Sequence, residues 1–232
     1  MSQLSARDRL IVALDFPSRH EAMAIRQTLT GQVGMFKVGK QLFTREGPSI
    51  VQQLIDYGEK IFLDLKFHDI PTTVAGAVSA AVSLRVNLVN VHALGGQAMM
   101  EAAAQAAAGS GTRVLAVTVL TSLGASQLCA VGLVEPPERL ALRLGRLALE
   151  AGLDGIVAAP SEVAPLREQL GPAFVILTPG IRLPGAALHD QARVATPAQA
   201  VRNGADYIVV GRPITEASDP AAAARGIVAM LE

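Results

Sequence analysis

Eight short apolar runs alternate along this chain with stretches that have a helical pattern, and this alternation limits the possible folds. The runs are rich in valine and isoleucine and almost continuously hydrophobic, as expected of parallel strands that are covered on both faces. They span residues 10–14, 35–38, 60–65, 88–91, 113–120, 154–158, 173–177 and 206–210. We therefore predict an α/β fold with a parallel sheet.

The stretches between these runs carry signals for helix ends. Thr196-Pro197 and Asp219-Pro220 each place a capping residue before a proline at the first helical position. Glycines stand where several helices should stop. The predicted helices span residues 19–29, 43–57, 71–84, 97–108, 138–151, 161–170, 197–203 and 220–231.

Eight β/α units in 232 residues predict a single (β/α)8 TIM barrel that forms one catalytic domain over residues 1–232. A doubly wound open sheet is the structural alternative. It is disfavoured because no glycine-rich dinucleotide fingerprint follows the first apolar run.

Composition argues against several classes of partner. Lys+Arg and Asp+Glu both total 20, which disfavours nucleic acid and membrane surfaces as partners, and aromatic residues make up only 3% of the chain. No run of about 20 apolar residues is present, so we expect no membrane span. The only cysteine, Cys129, cannot form an intrachain disulfide, which predicts a cytoplasmic protein.

Polar residues at the ends of the predicted strands mark the expected site, because the active site of such a barrel lies at the carboxyl ends of its strands. These residues are Asp15, Lys37, Asp64, Lys66, Asn90, His92, Thr118, Thr121, Thr178, Gly211 and Arg212.

The strongest local signal lies in the third strand and the loop after it. Alternation along a strand places Asp64 and Lys66 on the same face, and Asp69 follows in the loop before Pro71. A buried salt bridge plus a loop aspartate is the structural alternative, but charges are costly to bury for stability alone. Because Asp15 and Lys37 end the two preceding strands, we interpret this concentration of charge as functional.

A phosphate site is predicted after strands seven and eight, the usual place in a barrel. Gly180 and Arg182 follow strand seven, and Gly211 and Arg212 follow strand eight. Glycine lets backbone N–H groups approach an anion, and arginine matches phosphate oxygens with a planar fork. The long polar loop 180–196, which contains Gln191, is a predicted lid; a passive surface loop is the alternative.

A metal site is a further possibility, because His68 and His92 occur near the two aspartates of the third strand and its loop. No His-x-His spacing on one strand supports it, so we predict no metal. Nothing beside Cys129 marks that residue as a nucleophile.

At this point the residues resemble one family. Asp64-x-Lys66-x-x-Asp69-Ile-Pro-x-Thr73 is similar to the signature of the orotidine 5'-phosphate decarboxylase family, and the similarity runs from the first strand to the last. Further matching segments are Ala-Leu-Asp15, Lys37-Val-Gly, Val-Leu-Thr121-Ser122, Thr-Pro-Gly-Ile-Arg182, Gln191 and Val-Gly-Arg212-Pro-Ile.

The resemblance implies an activity and a role for each matching residue. The reaction is decarboxylation of orotidine 5'-monophosphate to UMP, the last step of de novo pyrimidine nucleotide synthesis, without metal or cofactor. Lys66 is the implied proton donor, flanked by Asp64 and Asp69, with Lys37 completing an alternating charge array. The implied substrate contacts are Asp15 and Lys37 to the ribose, Thr121 and Ser122 to the pyrimidine, and Arg182, Gln191, Gly211 and Arg212 to the phosphate.

The resemblance also implies a homodimer in which Asp69 and Thr73 reach the partner's site. Three alternatives stay open. A related phosphosugar decarboxylase or epimerase on the same barrel would depend on magnesium, and a non-catalytic barrel would bind a phosphate ligand without turnover. An aldolase would use Lys66 to form a Schiff base.

Overall fold

The computed structural model describes residues 4–181 and 195–232. Eight parallel strands form a closed barrel in chain order, and the last strand pairs with the first. The strands are β1 (Leu10–Ala13), β2 (Met35–Gly39), β3 (Ile61–Phe67), β4 (Leu88–His92), β5 (Arg113–Val117), β6 (Gly155–Val157), β7 (Val175–Thr178) and β8 (Tyr207–Val210). The predicted (β/α)8 barrel is confirmed, and the open sheet is wrong.

Helices connect the strands and cover the outside of the barrel. In the described residues they are α1 (Ala6–Arg9), α2 (Arg19–Thr28), α3 (Lys40–Glu46), α4 (Pro48–Asp56), α5 (Pro71–Ser83), α6 (Gln97–Ala107), α7 (Ala125–Ala130), α8 (Pro137–Glu150), α9 (Val163–Leu170), α10 (Pro197–Arg202), α11 (Arg212–Thr215) and α12 (Pro220–Ala229). Two 3₁₀ helices add Ala93–Gly95 and Pro160–Glu162. None of these helices is long and apolar enough to cross a bilayer.

The predicted helix ends are confirmed where a side chain caps them, and one predicted helix is wrong. Thr196 and Asp219 accept hydrogen bonds from the backbone N–H groups of Gln199 and Ala222, as N-caps do. The predicted helix 43–57 is instead two helices, because Gly47 adopts a φ of 67° and Pro48 starts α4. Helices α1, α7 and α11 were not predicted.

Two apolar layers hold the barrel together, one inside it and one between the strands and the helices. The inner layer uses alternate strand residues: Ile11, Ala13, Met35, Phe62, Leu88, Leu115, Val117, Val157, Val175, Leu177, Tyr207 and Val209. Toward the carboxyl ends of β2, β3 and β4 the next residues in this alternation are Lys37, Asp64 and Asn90, all three buried. The apolar interior therefore ends in a polar layer, which is where the site lies.

Candidate active site

A cavity of about 690 Å³ opens at the carboxyl ends of the strands. Its wall contains residues from both sides of the barrel mouth. The charged and hydroxyl-bearing lining residues are Asp15, Lys37, Asp64, Lys66, Thr121, Ser122, Arg212, Thr215 and Glu216, and the glycines are Gly180 and Gly211. The cavity is thus where the sequence predicted the active site.

Four charged side chains form a continuous array on one side of this cavity. The ammonium of Lys37 lies 2.8 Å from Asp15 Oδ1 and 3.3 Å from Asp64 Oδ2. The ammonium of Lys66 lies 2.5 Å from Asp64 Oδ1. Asp64 therefore bridges the two lysines, one through each carboxylate oxygen. The expectation that these charges lie side by side is confirmed, and within one chain the array of two cations and two anions is neutral.

Mutual attraction keeps the two buried members of this array, Asp64 and Lys37, ionised. Burial acts to raise the pKa of Asp64, but Lys37, Lys66 and hydrogen bonds from Lys66 and Asn90 outweigh it, so that pKa lies below its ordinary value. Burial likewise acts to lower the pKa of Lys37, but Asp64 and Asp15 outweigh it and that pKa lies above its ordinary value. Both groups are therefore charged at neutral pH.

Gly39 leaves the space in which the ion pair of Asp15 and Lys37 forms. A Cβ atom at this position would lie 2.7 Å from Asp15 Oδ1 and 2.8 Å from Lys37 Nζ. Those separations are shorter than van der Waals contact, so any side chain here would displace the pair. The glycine of the Lys37-Val-Gly39 motif thus has a steric role that the sequence alone did not reveal.

The backbone of β3 leaves regular strand geometry at the catalytic lysine predicted from sequence. Lys66 has a φ of 52°, the left-handed region that non-glycine residues rarely adopt. The pairing of β3 with β4 shifts register here, because Leu63 pairs with Val89 but Phe67 pairs with Val91. Residues 64–66 therefore lie opposite a single residue of β4.

That single residue is Asn90, and its side chain contacts both charged residues opposite it. Asn90 Oδ1 accepts a hydrogen bond from the backbone N–H of Lys66 at 2.8 Å, and Asn90 Nδ2 donates one to Asp64 Oδ1 at 2.7 Å. Sequence reasoning noted Asn90 only as a polar residue at a strand end and gave it no role.

A family model described as "Orotidine 5'-phosphate decarboxylase / HUMPS family" matches residues 8–227, which is nearly the whole chain. The chain belongs to this family. The resemblance read from the Asp64-x-Lys66-x-x-Asp69 motif is therefore confirmed at the level of the family, and the cavity of this family member lies at the expected end of the barrel.

Individual relatives agree with the family match. A protein named orotidine 5'-phosphate decarboxylase from Halorhodospira halophila is 55% identical over 223 residues, covering 95% of this chain and 94% of the relative. One with the same name from Moorella thermoacetica is 49% identical over 240 residues, covering 100% of this chain and 95% of the relative.

Two solved structures have a similar fold. Orotidine 5'-phosphate decarboxylase from Lactobacillus acidophilus aligns with a TM-score of 0.86 and 38% identity, covering 96% of this chain and 98% of that chain. An uncharacterized conserved protein from Geobacillus kaustophilus aligns with a TM-score of 0.84 and 37% identity, covering 96% and 100%.

The structure brings together the predicted pyrimidine residues and part of the predicted phosphate residues. Thr121 and Ser122 follow β5 and line the cavity. Gly211 and Arg212 line it too, at the start of α11, which begins at Arg212. Arg182, Gln191 and most of the predicted lid 180–196 lie outside the described residues.

Asp69 and Thr73 lie apart from this cavity within one chain. Both side chains are exposed and neither lines the cavity. Asp69 Oδ1 accepts a hydrogen bond from the backbone N–H of Ile70, and no ion pair between Asp69 and Lys66 forms among the described residues of this chain. Within one chain the array therefore runs from Asp15 through Lys37 and Asp64 to Lys66, and Asp69 of the same chain does not extend it.

The two histidines near the site contact each other rather than a group of carboxylates. The rings of His68 and His92 lie 5.5 Å apart. Burial, followed by the positive groups His68, Lys66 and Lys40, lowers the pKa of His92 to about 4, against the effect of Asp64. Residues 4–181 and 195–232 contain no group of three or more potential metal-ligating His, Cys, Asp or Glu side chains. Cys129 is exposed on α7.

Proposed function

We propose that this chain converts orotidine 5'-monophosphate to UMP and CO₂. One observation carries the proposal: the ammonium of Lys66 is held 2.5 Å from a buried carboxylate inside the barrel cavity. The same cavity presents Gly211 and Arg212 for a phosphate group. The names of the relatives at 49–55% identity favour this reaction over others in the family.

The chemistry of the substrate requires a localised cation. When the bond between ring carbon 6 and the carboxylate breaks, CO₂ leaves and the electron pair stays on carbon 6. That pair lies in the plane of the ring, so the π system cannot delocalise it. A preorganised ammonium group at that carbon stabilises the developing charge through space. Lys66 then transfers a proton from Nζ to carbon 6 to give UMP, and solvent reprotonates the lysine.

The ionised carboxylate of Asp64 holds the Lys66 ammonium in the cavity. The pKa of Asp64 lies below its ordinary value, and its Oδ1 lies 2.5 Å from Lys66 Nζ. Lys37 contacts the second oxygen of Asp64, so these two buried groups offset each other's charge. In the bound complex, Asp15 and Lys37 at the edge of the cavity would contact the ribose hydroxyls.

Phosphate binding would supply energy at a distance from the reacting carbon. Gly211 and Arg212 follow β8, whereas Lys66 lies on β3. Interactions with a remote, unreactive part of a substrate contribute to catalysis when they order the site around the reacting group. We propose that Arg182 and Gln191 join this phosphate site, and that the loop 180–196 closes over it.

We further propose that the functional unit is a homodimer in which Asp69 and Thr73 enter the partner's site. Three features of the segment after β3 support this arrangement. Asp69 and Thr73 are exposed and outside their own cavity, and Ile70 between them is apolar and 64% exposed. Asp69 of the partner would then supply the second carboxylate beside Lys66.

The remaining expectations stay predictions. The reaction needs no metal or cofactor, residues 1–232 form one catalytic domain, and the protein is cytoplasmic, as the single cysteine suggests.

A direct assay tests the activity. The purified protein is incubated with orotidine 5'-monophosphate in excess chelator, the loss of substrate absorbance is followed, and UMP is identified chromatographically. We expect undiminished turnover in chelator. Binding of UMP without any turnover would instead indicate a non-catalytic barrel, and magnesium-dependent turnover of a phosphorylated sugar acid alone would indicate the other branch of the family.

A further inference from the structure

We propose that Asn90 is the positioning residue that sets both Lys66 and Asp64 for the reaction. This inference rests on the proposed function, because it concerns the geometry of the proton donor. Asn90 is fully buried and does not line the cavity, so it does not contact the substrate. It acts on the reaction only through the two charged residues that it contacts.

The first contact supports a strained backbone. In a regular parallel pair, the Lys66 N–H would bond to a backbone carbonyl of β4, but the register shift places residues 64–66 opposite Asn90 alone. The side-chain oxygen of Asn90 accepts that N–H at 2.8 Å. A left-handed φ at a lysine is costly and persists only where its surroundings fix it. Asn90 therefore substitutes for the missing backbone acceptor at the residue whose side chain must face the substrate.

The second contact fixes the rotation of the Asp64 carboxylate. Asn90 Nδ2 donates to Asp64 Oδ1, the same oxygen that contacts the Lys66 ammonium, while Oδ2 faces Lys37. Without this donor, nothing from β4 would hold Oδ1 toward Lys66. The hydrogen bond also contributes to keeping the pKa of Asp64 below its ordinary value.

Asparagine is the side chain that meets both requirements at this position. The site needs one acceptor and one donor in a single planar group that reaches both Lys66 and Asp64, two positions apart on β3. An ionised aspartate keeps the acceptor but cannot donate, and it places a second negative charge beside Asp64. A leucine has the same branched outline but offers neither function.

Two substitutions of Asn90 test the inference. Asn90→Leu removes both hydrogen bonds, and we expect kcat for orotidylate to fall by about 100-fold, the typical cost of misplacing a reacting group by an ångström. The dissociation constant of UMP should change by less than about threefold, since ribose and phosphate contacts are intact. A purely structural role would not separate kcat from product binding.

Asn90→Asp gives a readout that does not depend on how well the leucine variant folds. Two adjacent buried carboxylates share one proton, and the protonated form of the introduced group can donate to Asp64 as the amide does. We therefore expect the ratio of variant to wild-type kcat to rise as the pH is lowered from 8 to 5.5.

Thr112→Val is the matched control. Thr112 is also buried, its hydroxyl donates to the Val86 carbonyl at 2.7 Å, and it precedes β5 at the opposite end of the barrel. The Thr112→Val substitution should lower the melting temperature without lowering kcat. Wild-type turnover tests the proposed function separately. Given that turnover, unchanged kcat in Asn90→Leu, or a pH-independent ratio for Asn90→Asp, overturns the role of Asn90.

Discussion

Lys66 and Asp64 are two residues apart on the same strand, and their charged groups touch although the backbone between them leaves regular strand geometry. The ammonium lies 2.5 Å from Asp64 Oδ1, while Lys66 has a φ of 52°. Side-chain alternation alone would place both residues on the inner face. The register shift between β3 and β4 forms a bulge in β3, and this bulge holds the lysine in a fixed, strained position, as is common beside active sites.

The first prediction concerns the stability of the charge array. Asp64→Asn removes one of the two carboxylates that pair with the buried ammonium of Lys37 in the described residues, and the other, Asp15, is exposed. Breaking a buried ion pair by removing one member costs about 3–5 kcal/mol. We expect a loss of that order in the free energy of unfolding at pH 7, measured by urea denaturation.

The loss of unfolding free energy in Asp64→Asn should depend on pH. The pKa of Asp64 is depressed in the folded protein, so its stabilising contribution is complete above its unfolded pKa of about 4 and disappears as the pH falls through the lower folded value. The difference in unfolding free energy between wild type and Asp64→Asn should therefore shrink below about pH 4. A difference in unfolding free energy that stays constant from pH 7 to pH 3 would contradict the lowered pKa of Asp64.

The second prediction concerns Gly39. In Gly39→Ala the new methyl group occupies the space of the contact between Asp15 and Lys37, so the two side chains must separate. We expect a loss of stability of about 1–3 kcal/mol, as in other overpacked sites, and weaker binding of UMP, measured by calorimetry.

Gly226→Ala serves as the control for the second prediction. Gly226 lies within α12, and a Cβ there meets no atom within 4 Å. Because alanine also has the higher helix propensity, this variant should keep UMP affinity and lose no stability. Equal UMP affinity in both variants would argue against the steric role of Gly39.

The sequence predicted the barrel because its strands are continuously apolar and its helices amphipathic, which are local signals. It missed the break at Gly47, since the helical pattern of apolar residues continues across that glycine. The bulge in β3 depends on pairing with β4, and the function of Asn90 depends on the bulge. Neither is visible in a pattern of residue types along one strand.

The third prediction concerns phosphate recognition. Arg212→Ala removes a charged hydrogen-bond donor worth about 1.5–3 kcal/mol, so kcat/KM for orotidylate should fall by about 10- to 100-fold. Turnover of the nucleoside without phosphate should be slow in wild type and little changed by the substitution.

Arg225→Ala matches this change in charge at an exposed position of α12 outside the cavity, and it should leave kcat/KM unchanged. If Arg212→Ala affected the nucleoside and the nucleotide equally, the residue would not act on the phosphate.

The fourth prediction concerns the dimer. Lys66→Ala and Asp69→Ala should each be inactive alone, because one removes the proton donor and the other removes the carboxylate given to the partner. When the two variants are mixed and allowed to exchange subunits, a hybrid dimer contains one intact site, so about a quarter of wild-type activity should appear. If the mixture stays as inactive as the separate variants, Asp69 acts within its own chain.

The central claim is that the Lys66 ammonium stabilises and protonates carbon 6 of the substrate. The most direct measurement is kcat/KM for orotidylate in excess chelator, for wild type and Lys66→Ala, together with the affinity of each for UMP. Loss of an electrostatic stabiliser that is also the general acid predicts a fall on the order of 10⁴-fold or more, with UMP affinity largely retained. A Lys66→Ala variant within tenfold of wild type would contradict the account.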